Sequence, residues 1–89
     1  MTVLEEAAKI VDGERRTLYG KPEDEFPRLA AMWSLILRTP VTAEQVCLCM
    51  IGAKLIRLSE TPTHRDSQID IAGYTRILEN LCVDTKKSS

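Results

Sequence analysis

The chain has 89 residues, 44% of them hydrophobic and 28% charged, with 12 basic and 13 acidic side chains for a net charge of −1. That balance fits one globular domain, argues against a disordered chain, and lacks the dominant basic field that long nucleic acids and anionic membranes require. A domain this short buries a modest fraction of its surface, so a homo-oligomer is expected.

No run approaches the ~18 apolar residues of a membrane span. The opening MTVLEEAAK carries acidic residues where a signal peptide needs basic and then apolar ones, which points to the cytoplasm. Three cysteines are an odd number and argue against a closed disulfide framework. Cys47 and Cys49 diverge by about 200° on a helix and cannot share a metal, so the cysteines read as small core or boundary residues.

In chain order, the first helix is predicted to open at Thr2, because Thr2-Val3-Leu4-Glu5 has capping-box spacing. Leu4, Ala7, Ala8, Val11 and Leu18 recur at helical spacing, and the helix is expected to end near Tyr19 with Gly20 as its cap. A second helix follows over 23–37, where Glu23, Asp24 and Glu25 suit a helix N-terminus and Pro27 demands a place in the first turn. Its expected buried stripe is Phe26, Leu29, Ala30, Trp33, Ile36 and Leu37.

The third helix starts from Thr42, again with capping-box spacing to Gln45, and runs to about Ser59. It is apolar on most faces, which predicts the central position. A fourth helix is expected from Thr63 to about Cys82, followed by a mobile tail over 85–89. Strand alternation, internal repeats and low-complexity runs are absent from the sequence. The expected fold is therefore all-α: one domain over 1–84, a compact antiparallel bundle of about four helices.

The sharpest functional clue is charge on the apolar arcs. At 100° per residue, Asp66 and Asp70 fall on the side of Gly73, Tyr74, Ile77 and Leu81. On the third helix, Lys54 and Arg57 lie at about 120° and 60° from Thr42, within the arc of Val46, Cys47, Met50 and Ala53. Arg15 takes a similar place beside Leu4 on the first helix. The loop between the last two helices is short, so Lys54 and Arg57 should face Asp66 and Asp70 at similar height. Unpaired buried charge is costly enough to make pairing nearly obligatory, and one ionic cluster of these four residues is expected.

Buried ion pairs stabilise less than apolar residues of equal volume, which leaves two readings. One is a structural network that fixes helix register. The other is a pocket in which Lys54 and Arg57 take a phosphate while the carboxylates orient them. Arg15, Tyr19 and Tyr74 would complete that pocket, and His64 and Arg65 would add an anion site at the last helix's N-terminus. Walker loops, dinucleotide glycine fingerprints and His-Glu-x-x-His are absent, and no nucleophile with a nearby base stands out.

The order Glu14-Arg15-Arg16…Tyr19-Gly20, Trp33-Ser34, Lys54-Leu55-Ile56-Arg57-Leu58 and His64-Arg65-Asp66-Ser67…Asp70-Ile71-Ala72-Gly73-Tyr74 resembles a group of short phage and prophage proteins of unknown function. The likeness covers residues 3–82 and is most specific in the last block. It implies a phage origin, hence the host cell's cytoplasm, without implying an activity. A weaker likeness is to MazG-type all-α nucleoside triphosphate pyrophosphohydrolases, which implies magnesium held by Asp66 and Asp70. Lys54 and Arg57 stand where that family would place a second acidic pair, against the carboxylate excess a cation site needs.

Three functions are thus expected to compete. The first is a binding protein that sequesters a small phosphorylated nucleotide, such as a host immune signal, without catalysis or cofactor. The second is a magnesium-dependent pyrophosphohydrolase. The third is a structural or partner-binding protein with a register-setting ionic network.

Overall fold

The computed structural model describes residues 1–13 and 20–88, with side chains described for 1–13 and 20–83. Four helices appear in chain order: α1 (Val3–Asp12), α2 (Pro22–Leu37), α3 (Ala43–Glu60) and α4 (Arg65–Ser88). Among the described residues there is no strand. The all-α helical bundle expected from the sequence is the fold observed.

Local chemistry sets the helix starts. Thr2 Oγ1 accepts from the Glu5 amide at 3.1 Å while Glu5 Oε1 accepts from the Thr2 amide, so two otherwise unpaired donors of α1 are satisfied reciprocally. Those bonds favour the ionised Glu5 carboxylate and hold its pKa below the ordinary value. Thr42 and Gln45 repeat the device on α3. The start of α4 differs from expectation by one residue. His64, not Thr63, precedes the first helical residue, and its Nδ1 accepts from the Ser67 amide at 3.3 Å.

Helix ends hold the larger departures. α1 stops at Asp12 because Gly13 takes a backbone conformation in which a Cβ would lie 2.5 Å from the Lys9 carbonyl oxygen. The remainder of the expected first helix, residues 14–19, lies outside the described residues. Pro27 is inside α2 rather than in its first turn, so one ladder bond is forgone while the helix continues. At the end of α2, Arg38 adopts a left-handed conformation, φ 56° and ψ 39°. The turn is clasped by Ser34, whose hydroxyl donates to the Ala30 carbonyl at 2.7 Å and accepts from the Val41 amide at 2.8 Å. α4 runs on through Ser88 instead of stopping near Cys82.

The core gathers Val11, Phe26, Ala30, Val46, Cys47, Ile77 and Leu81. α4 is the hub: it packs against α1, α2 and α3, while α2 also packs on α3. The expectation of a central α3 is therefore corrected. Its apolar outer face meets solvent, with Leu48, Leu55 and Ile56 exposed, whereas α4 repeats buried residues at four-residue spacing through Ile69, Gly73, Ile77 and Leu81. The buried stripe of α2 also ends early. Ile36 and Leu37 lie beyond the part of α2 that the other helices cover, and both are exposed.

Gly73 sets how closely α1 approaches α4. A Cβ there would lie 3.3 Å from Val11 Cγ2, tighter than nearly all real contacts. Gly73→Leu is expected to wedge the two helices apart and to destabilise the fold by about 1–3 kcal/mol, the usual range for overpacking. Urea unfolding followed by circular dichroism measures it, and an unchanged midpoint would contradict this account of the α1–α4 contact.

Candidate functional site

Four residues of α4, Asp70, Gly73, Tyr74 and Ile77, recur at helical spacing and so share one face. They form the floor of a cleft of about 540 Å³. α2 supplies Phe26, Leu29 and Trp33, α1 supplies Ala7, Ile10 and Val11, and α3 supplies Val46 and Met50. Gly20 and Pro22 border the same space at the start of α2, together with the Glu25 carboxylate. The lining is mostly apolar and aromatic with two carboxylates, the composition of a small-molecule site. Phe26 and Tyr74 pack with ring centroids 6.3 Å apart and planes tilted by 58°.

Antiparallel packing of α3 and α4 brings Lys54 to Asp70. Lys54 Nζ lies 3.1 Å from Asp70 Oδ2, with both side chains half-buried. This pair is the surviving part of the expected four-residue cluster. Arg57 and Asp66 are exposed, and among the described residues neither forms an ion pair. The buried arc of α3 drifts along the helix, from Val46 and Cys47 near its start to Lys54 and Leu58 near its end, as in helices that cross at an angle. Arg57 in the last turn is left outside. Asp66 sits in the first turn of α4, where a solvated carboxylate is favoured by the helix dipole.

The other sequence-derived candidates separate. His64 is half-buried and faces inward along α4: its Nδ1 lies 2.7 Å from Ser67 Oγ, in a side-chain pair beside its capping bond. Arg65 points to α1, where its guanidinium donates to the Glu6 carboxylate and, at 2.8 Å, to the Met1 carbonyl oxygen. Tyr74 lines the cleft. Arg15 and Tyr19 lie outside the described residues. Trp33, expected from the sequence in the buried stripe of α2, also lines the cleft, and it is the single tryptophan of the chain.

Sequence reasoning missed the polar ties of α1 to α4. Besides Arg65 with Glu6, Arg76 Nη2 donates to Asp12 Oδ2 at 3.2 Å and Arg76 Nη1 to Glu79 Oε1 at 3.0 Å. The opposed charges hold the Arg76 guanidinium further into its charged form. Arg65 and Arg76 stand eleven residues apart on α4, a spacing of three helical turns that was available as a signal. Among the described residues, no three His, Cys, Asp or Glu side chains converge as metal ligands. No helix there is long and apolar enough to cross a membrane.

Cys47 is fully buried and its thiol donates to the Tyr74 carbonyl at 3.0 Å, which ties α3 to the cleft floor. Burial pushes its pKa up to about 11, so it is a core thiol and not a nucleophile.

The chain belongs to the DUF6378 family, described as a domain of unknown function, whose model matches residues 2–82. It is 35% identical over 82 residues to the Gene 55 protein of Mycobacterium phage L5, and 36% identical over 80 residues to the Gene 55 protein of Mycobacterium phage D29. These matches cover 91% and 90% of this chain but 53% of each relative, so the chain spans about half the length of the curated relatives it matches. The resemblance to phage proteins of unknown function read from the sequence is thereby shown. No solved structure gives a significant match.

Two outcomes follow from this geometry. A double-mutant cycle of Lys54→Met and Asp70→Asn, read by urea unfolding, is expected to give a coupling of about 0.5–1.5 kcal/mol, somewhat above that of exposed pairs. Zero coupling would mean that the pair is not formed in solution. At Cys47 the folded pKa exceeds the unfolded value of 9.0, so its contribution to stability is complete below pH 9 and lost as pH rises toward about 11. A thiol reagent applied at pH 8 is expected to modify exposed Cys49 and Cys82 at once and Cys47 only on unfolding. Three equally fast thiols would refute that placement.

Proposed function

We propose that this protein works by binding: it holds a small phosphorylated nucleotide-type ligand in the cleft above α4 and does not turn it over. The observation that carries this reading is a cavity lined by aromatic side chains and by Asp70, whose carboxylate is paired with Lys54. Phe26, Trp33 and Tyr74 offer flat apolar surface for a base, and Asp70 and Glu25 offer acceptors for its exocyclic amino group. Lys54, already beside Asp70, offers a cation for a phosphate. Arg15 and Tyr19 precede Gly20, at the cleft border, closely in the chain.

The kinship with phage proteins gives sequestration a biological sense. A protein that captures a host nucleotide signal silences it stoichiometrically, with no need of a nucleophile or a metal. The pyrophosphohydrolase alternative draws no comparable support: Asp66 is exposed and Asp70 is engaged by Lys54, whose charge opposes a cation there. A register-setting role for the ion pair is favoured by its direct 3.1 Å contact between adjacent helices, and it is compatible with ligand binding at the same place.

The test uses a panel of nucleotides, cyclic dinucleotides and NAD-derived signals with magnesium. Free and heat-released species are identified by mass spectrometry, and the emission of Trp33 reports entry into the cleft. Intact ligand recovered only after heating, with a shift in Trp33 emission, is the expected result. Lys54→Ala and Tyr74→Ala are each expected to weaken binding by about tenfold, the equivalent of 1.4 kcal/mol. A new product would support hydrolysis instead. Wild-type affinity in both folded variants would remove the cleft from consideration.

A further inference from the structure

The hairpin formed by α2 and α3 leaves apolar surface without a partner. Met32, Leu35 and Ile36 on α2, and Leu48, Leu55 and Ile56 on α3, are each more than half exposed. On α3 the outward stripe runs between Glu44 and Lys54 with no charged residue over 45–53, then continues through Leu55 and Ile56. At its middle sits Gly52, where an added Cβ would meet nothing within 4 Å. The outward surface there is flat and open to close approach by another helix.

The amount of surface is as informative as its character. The six exposed side chains by themselves present on the order of 600 Å², at the upper end for the largest patch of a typical monomer.

We infer that this face is an interface between two copies of the chain, with the α3 helices crossing at Gly52 about a two-fold axis. Three observations select a second copy as the occupant. The stripe carries no charge and so repels no copy of itself. The net charge of −1 sets no long-range barrier to self-association. The six exposed apolar side chains by themselves supply most of the ~800 Å² that each protomer of a closed, isologous pair buries. The cleft lies on the side of α3 that bears Val46 and Met50, away from Leu48 and Leu55, so pairing leaves it accessible. This inference does not depend on what the cleft binds.

Light scattering on the eluting protein, with circular dichroism as the control for folding, tests it. The full chain is expected to elute at twice its 10.0 kDa mass. Leu55→Glu is expected to elute as a monomer with its helicity retained, since Leu55 is more than half exposed before association. In a Cys49→Ser, Cys82→Ser background, Gly52→Cys is expected to form an intermolecular disulfide on mild oxidation, because that bond requires Cα atoms within roughly 7 Å. A wild-type monomer, or a folded Leu55→Glu variant that stays dimeric, would overturn the inference. If Leu55→Glu loses helicity, the disulfide decides, and its absence from the folded Gly52→Cys protein rejects the crossing.

Discussion

The structure depends on one helix finding apolar partners on several sides. α4 is in contact with α1, α2 and α3, and the other main interface is that of α2 on α3. A chain of this length has few side chains to spend on a core, and it places Ile69, Gly73, Ile77 and Leu81 on a single seam, four residues apart. Because that spacing slightly exceeds one helical turn, the seam winds around α4. α1 meets it at Gly73, α3 through Val46 and Cys47, and α2 through Phe26 against Tyr74. The cleft lies where these three approaches leave space above the same seam.

Polar chemistry is distributed to match. The half-buried Lys54–Asp70 pair joins α3 to α4 near the cleft, while Arg65 and Arg76 fasten α1 along the outside. Burial distinguishes their roles. An exposed pair is worth little individually and chiefly orients α1, whereas separating Lys54 from Asp70 would leave a charge partly desolvated. A ligand that engages both members changes that balance directly, since it must either preserve the pair or replace what each partner receives from the other.

Much of the fold was legible because it rests on local rules. Thr2 with Glu5 and Thr42 with Gln45 announce their helices by spacing, and both capping boxes form. The Lys54–Asp70 contact was legible because a short loop forces antiparallel neighbours into register. What failed depends on crossing geometry, which helical projection does not contain. A wheel places Arg57 and Asp66 on the inner arcs, but both stand beside the turn that joins α3 to α4, and there the solvent takes them. The apolar face of α3 suggested a central helix for the same reason: periodicity reports that a face is apolar, not which partner covers it. Asp12 with Arg76 joins residues 64 positions apart, and only tertiary structure reveals such a pair.

The separation along the chain of the two partners in each α1 tie has a consequence for the order in which the molecule assembles. α2, α3 and α4 are consecutive and joined by short turns, one of them clasped by Ser34, so their contacts close small loops. Glu6 reaches Arg65 across 59 residues and Asp12 reaches Arg76 across 64, so docking α1 carries the largest closure entropy in the fold. Late docking follows, and with it a hierarchy in the native state: α1 is the wall of the cleft that separates at least cost to the remainder. The α1 wall of the cleft can then open by the release of ten residues rather than by the unfolding of a domain.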